Sequence, residues 1–125
     1  MMSLRFEIFP EDLDLTADFY THVLAFELVI DQRKQPHPYL ALRRGAVRIG
    51  AAARPAGAHQ RHRRPPTGVE LVLEVDDVDA ERDRVRSSGW TLEQDLSERP
   101  WGLRDFRLLD PDGYYLRITE RARGH

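Results

Sequence analysis

The chain has 125 residues, 41% hydrophobic and 32% charged, with a formal net charge of -2 and no cysteine. That length suits one domain burying roughly two-thirds of its unfolded surface, and without a basic excess no nucleic-acid partner is expected. The missing cysteines exclude a disulfide framework, a thiolate nucleophile and a thiolate metal site.

No apolar run reaches about 18 residues, and the start has no basic stretch followed by an apolar one. A soluble cytoplasmic protein without membrane association is the expectation. All 19 basic residues except Lys34 are arginine, a skew that matches GC-rich bacterial codon usage. Lys34 falls in a predicted turn, so Schiff-base chemistry is disfavoured.

Arg5 to Phe9 alternates, with Phe6 and Ile8 on one face and Arg5, Glu7 and Phe9 on the other, as a half-buried strand does. Pro10 ends it, and Asp12 or Asp14 caps a helix with Leu15, Phe19, Val23 and His22 on one face. Strands follow at about Phe26–Asp31, Tyr39–Arg43 and Ala46–Ala52, with turns at Gln32–Pro38 and Arg44-Gly45. Residues 53–67 lack periodicity, are rich in Pro and Arg, and read as a mobile linker.

The second half repeats the order: a strand at Val69–Val75, a helix from Asp76 or Asp77 to about Ser88 with Gly89 as its left-handed end, and a strand at Thr91–Leu96. The last pair is Arg104–Leu109 and Tyr114–Glu120, joined by the tight turn Asp110-Pro-Asp-Gly113. Phe106, Leu108, Leu116 and Ile118 point to the core.

The halves correspond directly. Arg5-Phe-Glu-Ile-Phe-Pro-Glu-Asp-Leu-Asp14 matches Glu70-Leu-Val-Leu-Glu-Val-Asp-Asp-Val-Asp79 at an offset of 65 residues. Ala25-Phe26 matches Gly89-Trp90, and Gly45-Ala-Val-Arg48-Ile49 matches Gly113-Tyr-Tyr-Leu-Arg117-Ile118. The order βαβββ, twice, predicts an α+β fold of two modules: residues 4–52, the linker 53–67, and residues 68–120.

Four pieces occur in order: Asp12-Leu13 with Phe19-Tyr20 and Val23-Leu24-Ala25-Phe26; Glu74-Val-Asp-Asp-Val-Asp79; Trp101-Gly102; and Asp110-Pro-Asp-Gly-Tyr114. Together they resemble the vicinal oxygen chelate superfamily, which groups glyoxalase I, extradiol dioxygenases and bleomycin-resistance proteins. The resemblance covers Arg5 to Glu120 and implies paired βαβββ modules forming a U-shaped cleft, usually completed in a homodimer. In the metal enzymes it implies one divalent ion held by His and Glu from the first and last strand of each module. Those positions correspond here to Arg5, Arg48, Glu70 and Arg117. A guanidinium has no lone pair to donate, so no metal and no cofactor is expected. The tail Trp101-Gly102…Arg117 is similar to bleomycin-resistance proteins, which bind and sequester a drug without chemistry.

Two readings of the inward charges stay open. Arg5, Arg48, Arg107 and Arg117, with Glu70, form an anion-receptive surface, or Glu7, Glu74 and Asp105 neutralise the arginines in an internal salt-bridge network. Phe9, Tyr39, Trp101 and Tyr115 stack on a planar ligand or serve as ordinary packing. His22 reads as packed; His37, His59 and His62 read as solvated loop residues. The basic run Arg61, Arg63, Arg64 reads as a solvated loop. Glu70 as a general base is disfavoured, because neighbouring arginines hold it ionised. Two functions are carried: a non-catalytic binder of a small aromatic or anionic molecule, an antibiotic among the candidates, with no catalytic residue; and a superfamily enzyme using a displaced metal or none.

Overall fold

A computed structural model describes residues 2–54 and 68–121; most of the linker, with His59, His62 and Arg61 to Arg64, lies outside the described residues. The chain divides into two compact units, Met1–Arg63 and Arg64–His125, and each is a βαβββ module of an α+β fold. The first comprises β1 (Phe6–Ile8), α1 (Leu13–Asp18) with a π-helical turn (Phe19–Val23), β2 (Glu27–Gln32), β3 (Tyr39–Arg44) and β4 (Val47–Ala52). The second comprises β5 (Leu71–Val75), α2 (Val78–Ser87), β6 (Gln94–Glu98), β7 (Arg104–Leu109) and β8 (Tyr115–Glu120). The sheet orders are the same, β1-β4-β3-β2 and β5-β8-β7-β6, with the outermost pair parallel and the others antiparallel.

Period-two alternation gives each sheet an apolar face toward its helix and a polar face away from it. Ile8, Leu40, Leu42, Ile49 and Ala51 are buried in the first module; Phe106, Leu108, Leu116 and Ile118 are buried in the second, as expected. Asp12, not Asp14, caps α1, its Oδ1 accepting from the amides of Asp14 at 2.9 Å and Leu15 at 3.2 Å. Asp77 caps α2 through the Ala80 amide at 3.0 Å.

The cap sets the phase of the buried face. From Asp12, the inward positions are Leu13, Thr16, Ala17 and Tyr20, and the expectation for Leu15 fails: it is 55% exposed. The π-turn then widens the winding, so that Phe19, Tyr20 and Val23 are all buried, with the Leu24 amide donating to the Phe19 carbonyl at 3.3 Å. His22 is exposed rather than packed, its Nδ1 lying 3.2 Å from the Asp18 carbonyl. Ala25 takes the left-handed conformation (φ 59°) that Gly89 takes at the matching place in the second module (φ 85°); a Cβ there costs about 1 kcal/mol.

Strand β6 starts three residues later than its sequence suggests, at Gln94 rather than Thr91. The Trp90 indole, not a ladder amide, donates to the Leu109 carbonyl at 2.8 Å. The register then slips between Gln94 and Ser97.

Each module ties β2 or β6 to its helix with an aspartate–arginine pair. Arg33 donates to Asp31 through Nε and Nη2, both at 2.8 Å, and to Asp14 of α1 at 2.9 Å. Arg82 of α2 holds Asp95 at 2.8 and 3.1 Å. The Arg33 hydrogen bonds lower the Asp31 carboxyl from 3.8 to about 2, and those of Arg82 do the same for Asp95. A carboxyl acidified by folding contributes stability above its unfolded value and loses it as pH falls toward the folded one. The urea midpoint is therefore expected to fall between pH 4 and pH 2, with a shallower fall in Arg33→Met and Arg82→Met; equal slopes in all three proteins would refute the assignment.

Candidate functional site

The helix-free face of the second sheet carries Asp105 and Arg107 on β7, Tyr115, Arg117 and Thr119 on β8, and Val72 and Glu74 on β5. Asp105 is fully buried. Its carboxylate meets Arg99 Nε at 2.8 Å, Arg107 Nε at 3.3 Å and Arg117 Nε at 3.9 Å. A buried carboxylate needs that company, because no water offsets its charge. The outer parts of the three guanidiniums find other contacts. Arg99 Nη2 donates to Gln94 Oε1 at 2.7 Å, Arg107 Nη1 to the Tyr115 hydroxyl at 3.3 Å, and Arg117 Nη1 meets Glu70 Oε1 at 2.7 Å. The Tyr115 hydroxyl, followed by Asp105, holds Arg107 more firmly protonated than usual.

Arg107 lies over the Tyr115 ring at 5.9 Å and Arg117 over the Trp101 ring at 5.6 Å. Trp101 is 54% exposed. Arg117 Nε is buried yet makes no hydrogen bond, since 3.9 Å to Asp105 is an ion-pair distance only. Three guanidiniums thus gather around Asp105 and Glu70, with Glu74 on the same face.

The first sheet builds a different cluster at matching positions. Arg5 Nε meets Glu7 Oε1 at 2.9 Å, and the Tyr39 hydroxyl donates to the same oxygen at 3.3 Å. Both groups cross Gly50, where a Cβ would strike the Glu7 carboxylate and the Tyr39 hydroxyl. Burial first, and Glu7 second, push the Tyr39 phenol up. Phe9 is an exposed neighbour on this face. Arg48 is also exposed and donates to Ser3 Oγ at 2.9 Å.

The sequence-derived candidates therefore fall into two groups within separate modules: Glu70, Trp101, Arg107, Tyr115 and Arg117 in the second, and Arg5, Glu7 and Tyr39 in the first. Arg48 stands apart from both clusters, with Ser3 as its hydrogen-bond partner. The salt-bridge reading holds for Asp105 and Glu7, which do neutralise arginines. Arg99 and Gln94 escaped the sequence reading because they flank an irregular stretch without periodicity. The signal available was Asp105 itself, an acid on a strand between core positions that requires basic partners.

A model of the Glyoxalase/Bleomycin resistance protein/Dioxygenase superfamily matches residues 4–118. The chain belongs to that superfamily. TioX from Micromonospora sp. ML1 is 22% identical with a TM-score of 0.76, covering 97% of this chain and 100% of that one. A superfamily member from Sphaerobacter thermophilus is 24% identical (TM-score 0.73, coverage 97% and 98%). A glyoxalase/bleomycin resistance protein from Streptomyces sp. CB03234 is 24% identical (TM-score 0.71, coverage 95% and 100%). No curated protein matches significantly.

Strand register corrects one superfamily position. Phe6 pairs with Ile49 and Glu7 with Gly50; Leu71 pairs with Leu116 and Val72 with Arg117. With Arg5 matching Glu70, the counterpart of Arg117 is Gly50, not Arg48. The four positions that hold metal in the superfamily's metal enzymes are then Arg5, Gly50, Glu70 and Arg117. Only Glu70 can donate a lone pair, and it is engaged by Arg117. These residues do not fit a divalent ion. Among the described residues, no group of three or more His, Cys, Asp or Glu side chains is placed to hold one. Nor is any helix among them long and apolar enough to cross a membrane.

Replacing Asp105 with Asn leaves three guanidiniums without their buried counter-charge. The expected loss is about 3–5 kcal/mol of unfolding free energy, read by urea denaturation; a loss below about 1 kcal/mol would show that solvent, not Asp105, balances the arginines.

Proposed function

We propose that this protein binds and sequesters, without turning it over, a small and partly aromatic molecule bearing a negative or hydrogen-bond-accepting group, and does so in the cytoplasm with no metal or cofactor. The observation that carries the reading is Arg117. Its guanidinium lies against the half-exposed Trp101 ring, pairs with Glu70 through Nη1, and makes no hydrogen bond through Nη2 among the described residues. A stacked, positioned guanidinium with spare donors suits a planar acceptor. Tyr115 and Arg107 extend the same surface. The first module offers Tyr39 and Glu7 as a neutral-to-acidic hydrogen-bonding pair beside exposed Phe9.

The protein acts as a homodimer in this proposal. Exposed Val69 and Val72 at and before the edge strand β5 are the kind of apolar surface a second copy covers. Light scattering is expected to give twice the 14.5 kDa chain mass at micromolar concentration; the single-chain mass would count against the dimer.

Antibiotics form the first set for a thermal-shift ligand screen, since proteins of this family bear the bleomycin-resistance name. Hits are then titrated by calorimetry into wild type, Arg117→Ala and Trp101→Ala. A charge-assisted arginine contact of about 1.5–3 kcal/mol predicts that Arg117→Ala weakens binding roughly 10- to 150-fold. Trp101→Ala is expected to weaken it as well, with both variants still folding cooperatively. Unchanged affinities in both variants would remove this face as the site, and consumption of a hit would replace sequestration with catalysis.

A further inference from the structure

We infer that Glu70 is a built-in competitor on Arg117, and that the ligand class of this face is the planar aromatic carboxylate that displaces it; this rests on the binding role proposed above for Arg117 and Trp101. The Glu70 carboxylate meets Arg117 Nη1 at 2.7 Å and is 41% exposed. Its side chain makes no other hydrogen bond or ion pair among the described residues, and it precedes β5, which begins at Leu71. Arg117 is held from its other sides, by Asp105 near Nε and by Trp101 under the guanidinium. Moving Glu70 aside therefore breaks one ion pair that is open to solvent on the Glu70 side, which weakens it, and leaves the guanidinium where it was.

The vacated position is carboxylate-shaped by construction, because a carboxylate occupies it. Nη1 and Nη2 offer two parallel donors to an incoming carboxylate. A ring attached to that carboxylate lies next to the exposed indole of Trp101. An uncharged analogue cannot replace the ion pair, so it leaves Glu70 in place and gains only the indole. A ligand of this class binds only by the margin over Glu70, so removing the Glu70 charge increases affinity rather than lowering it. That sign separates a competitor from an ordinary contact residue.

The test uses 2-naphthoate and its neutral amide, 2-naphthamide, titrated into the full chain with tryptophan fluorescence as readout. The proteins are wild type, Glu70→Gln, Arg117→Gln and Glu74→Gln, the last removing the same charge from the same sheet face at the β5 position paired with Thr119. Glu70→Gln is expected to bind naphthoate roughly 3- to 10-fold more tightly, with naphthamide unchanged. Glu74→Gln is expected to shift naphthoate less than about twofold, and Arg117→Gln to lose it. Equal or weaker naphthoate binding by Glu70→Gln overturns the competitor role while leaving Arg117 and Trp101 as a binding face. The same gain with naphthamide or in Glu74→Gln also overturns it, as does naphthoate binding to none of the four proteins. In that last case the binding role itself is judged by the broader ligand screen.

Discussion

Asp105 is a carboxylate without solvent contact, placed on a strand position that faces away from the hydrophobic core. Such a group persists only if cations and donors replace the lost water. Three arginines do this here, from β7, from β8 and from the segment after β6. The order of the second sheet's polar face follows from that requirement. Arg107 and Arg117 are drawn toward one point, so their guanidiniums lie along the sheet instead of extending into water. Their flat sides then meet Tyr115 and Trp101. A long, rotamer-rich side chain thereby becomes a preorganised one, with less ordering entropy left to lose in any further contact.

The two modules share a register but have diverged in chemistry at matching sites. By ladder partners, Tyr39 stands where Asp105 stands, and Gly50 where Arg117 stands. In the first module the missing side chain at Gly50 leaves space that the Tyr39 hydroxyl and Glu7 carboxylate fill. In the second, Arg117 fills the same space. One duplication thus yields a phenol–carboxylate pair on one sheet and a guanidinium cluster on the other. Neither combination resembles the imidazole and carboxylate set that a divalent ion requires.

Much of this was legible in the sequence because sheet faces follow a period of two. Core positions Ile8, Phe106, Leu108, Leu116 and Ile118 come directly from alternation, as do the polar positions opposite them. Three features were not legible, each for a physical reason. Hydrophobic spacing sets Leu15 on the buried helix face, since two aspartates can cap and a π-turn leaves no mark in that periodicity. The shared Arg-Ile pair sets Arg48-Ile49 against Arg117-Ile118, although Arg48 follows its turn glycine by three residues and Arg117 by four. The β3–β4 turn spans two residues and the β7–β8 turn five, so those counts do not agree. Register is set by the parallel neighbour, β1 or β5, which only the fold displays. Arg99 lies between regular elements, where no pattern assigns a direction to a side chain.

The arginine-rich composition bears on the same point. Lysine at positions 99, 107 and 117 would supply equal charge around Asp105, but an ammonium is a point donor that remains strongly hydrated. It could neither lie flat on Trp101 nor reach Asp105 with one nitrogen while presenting others outward. Arg107 divides its nitrogens in this way, bonding Asp105 through Nε and Tyr115 through Nη1. Arg117 divides itself in the same way between the Asp105 side and Glu70. The branched guanidinium is what lets a structural ion network and a flat, donor-bearing surface share the same residues. Substitution to lysine is therefore expected to separate the two roles, sparing part of the buried charge balance while removing the flat, multiply donating face.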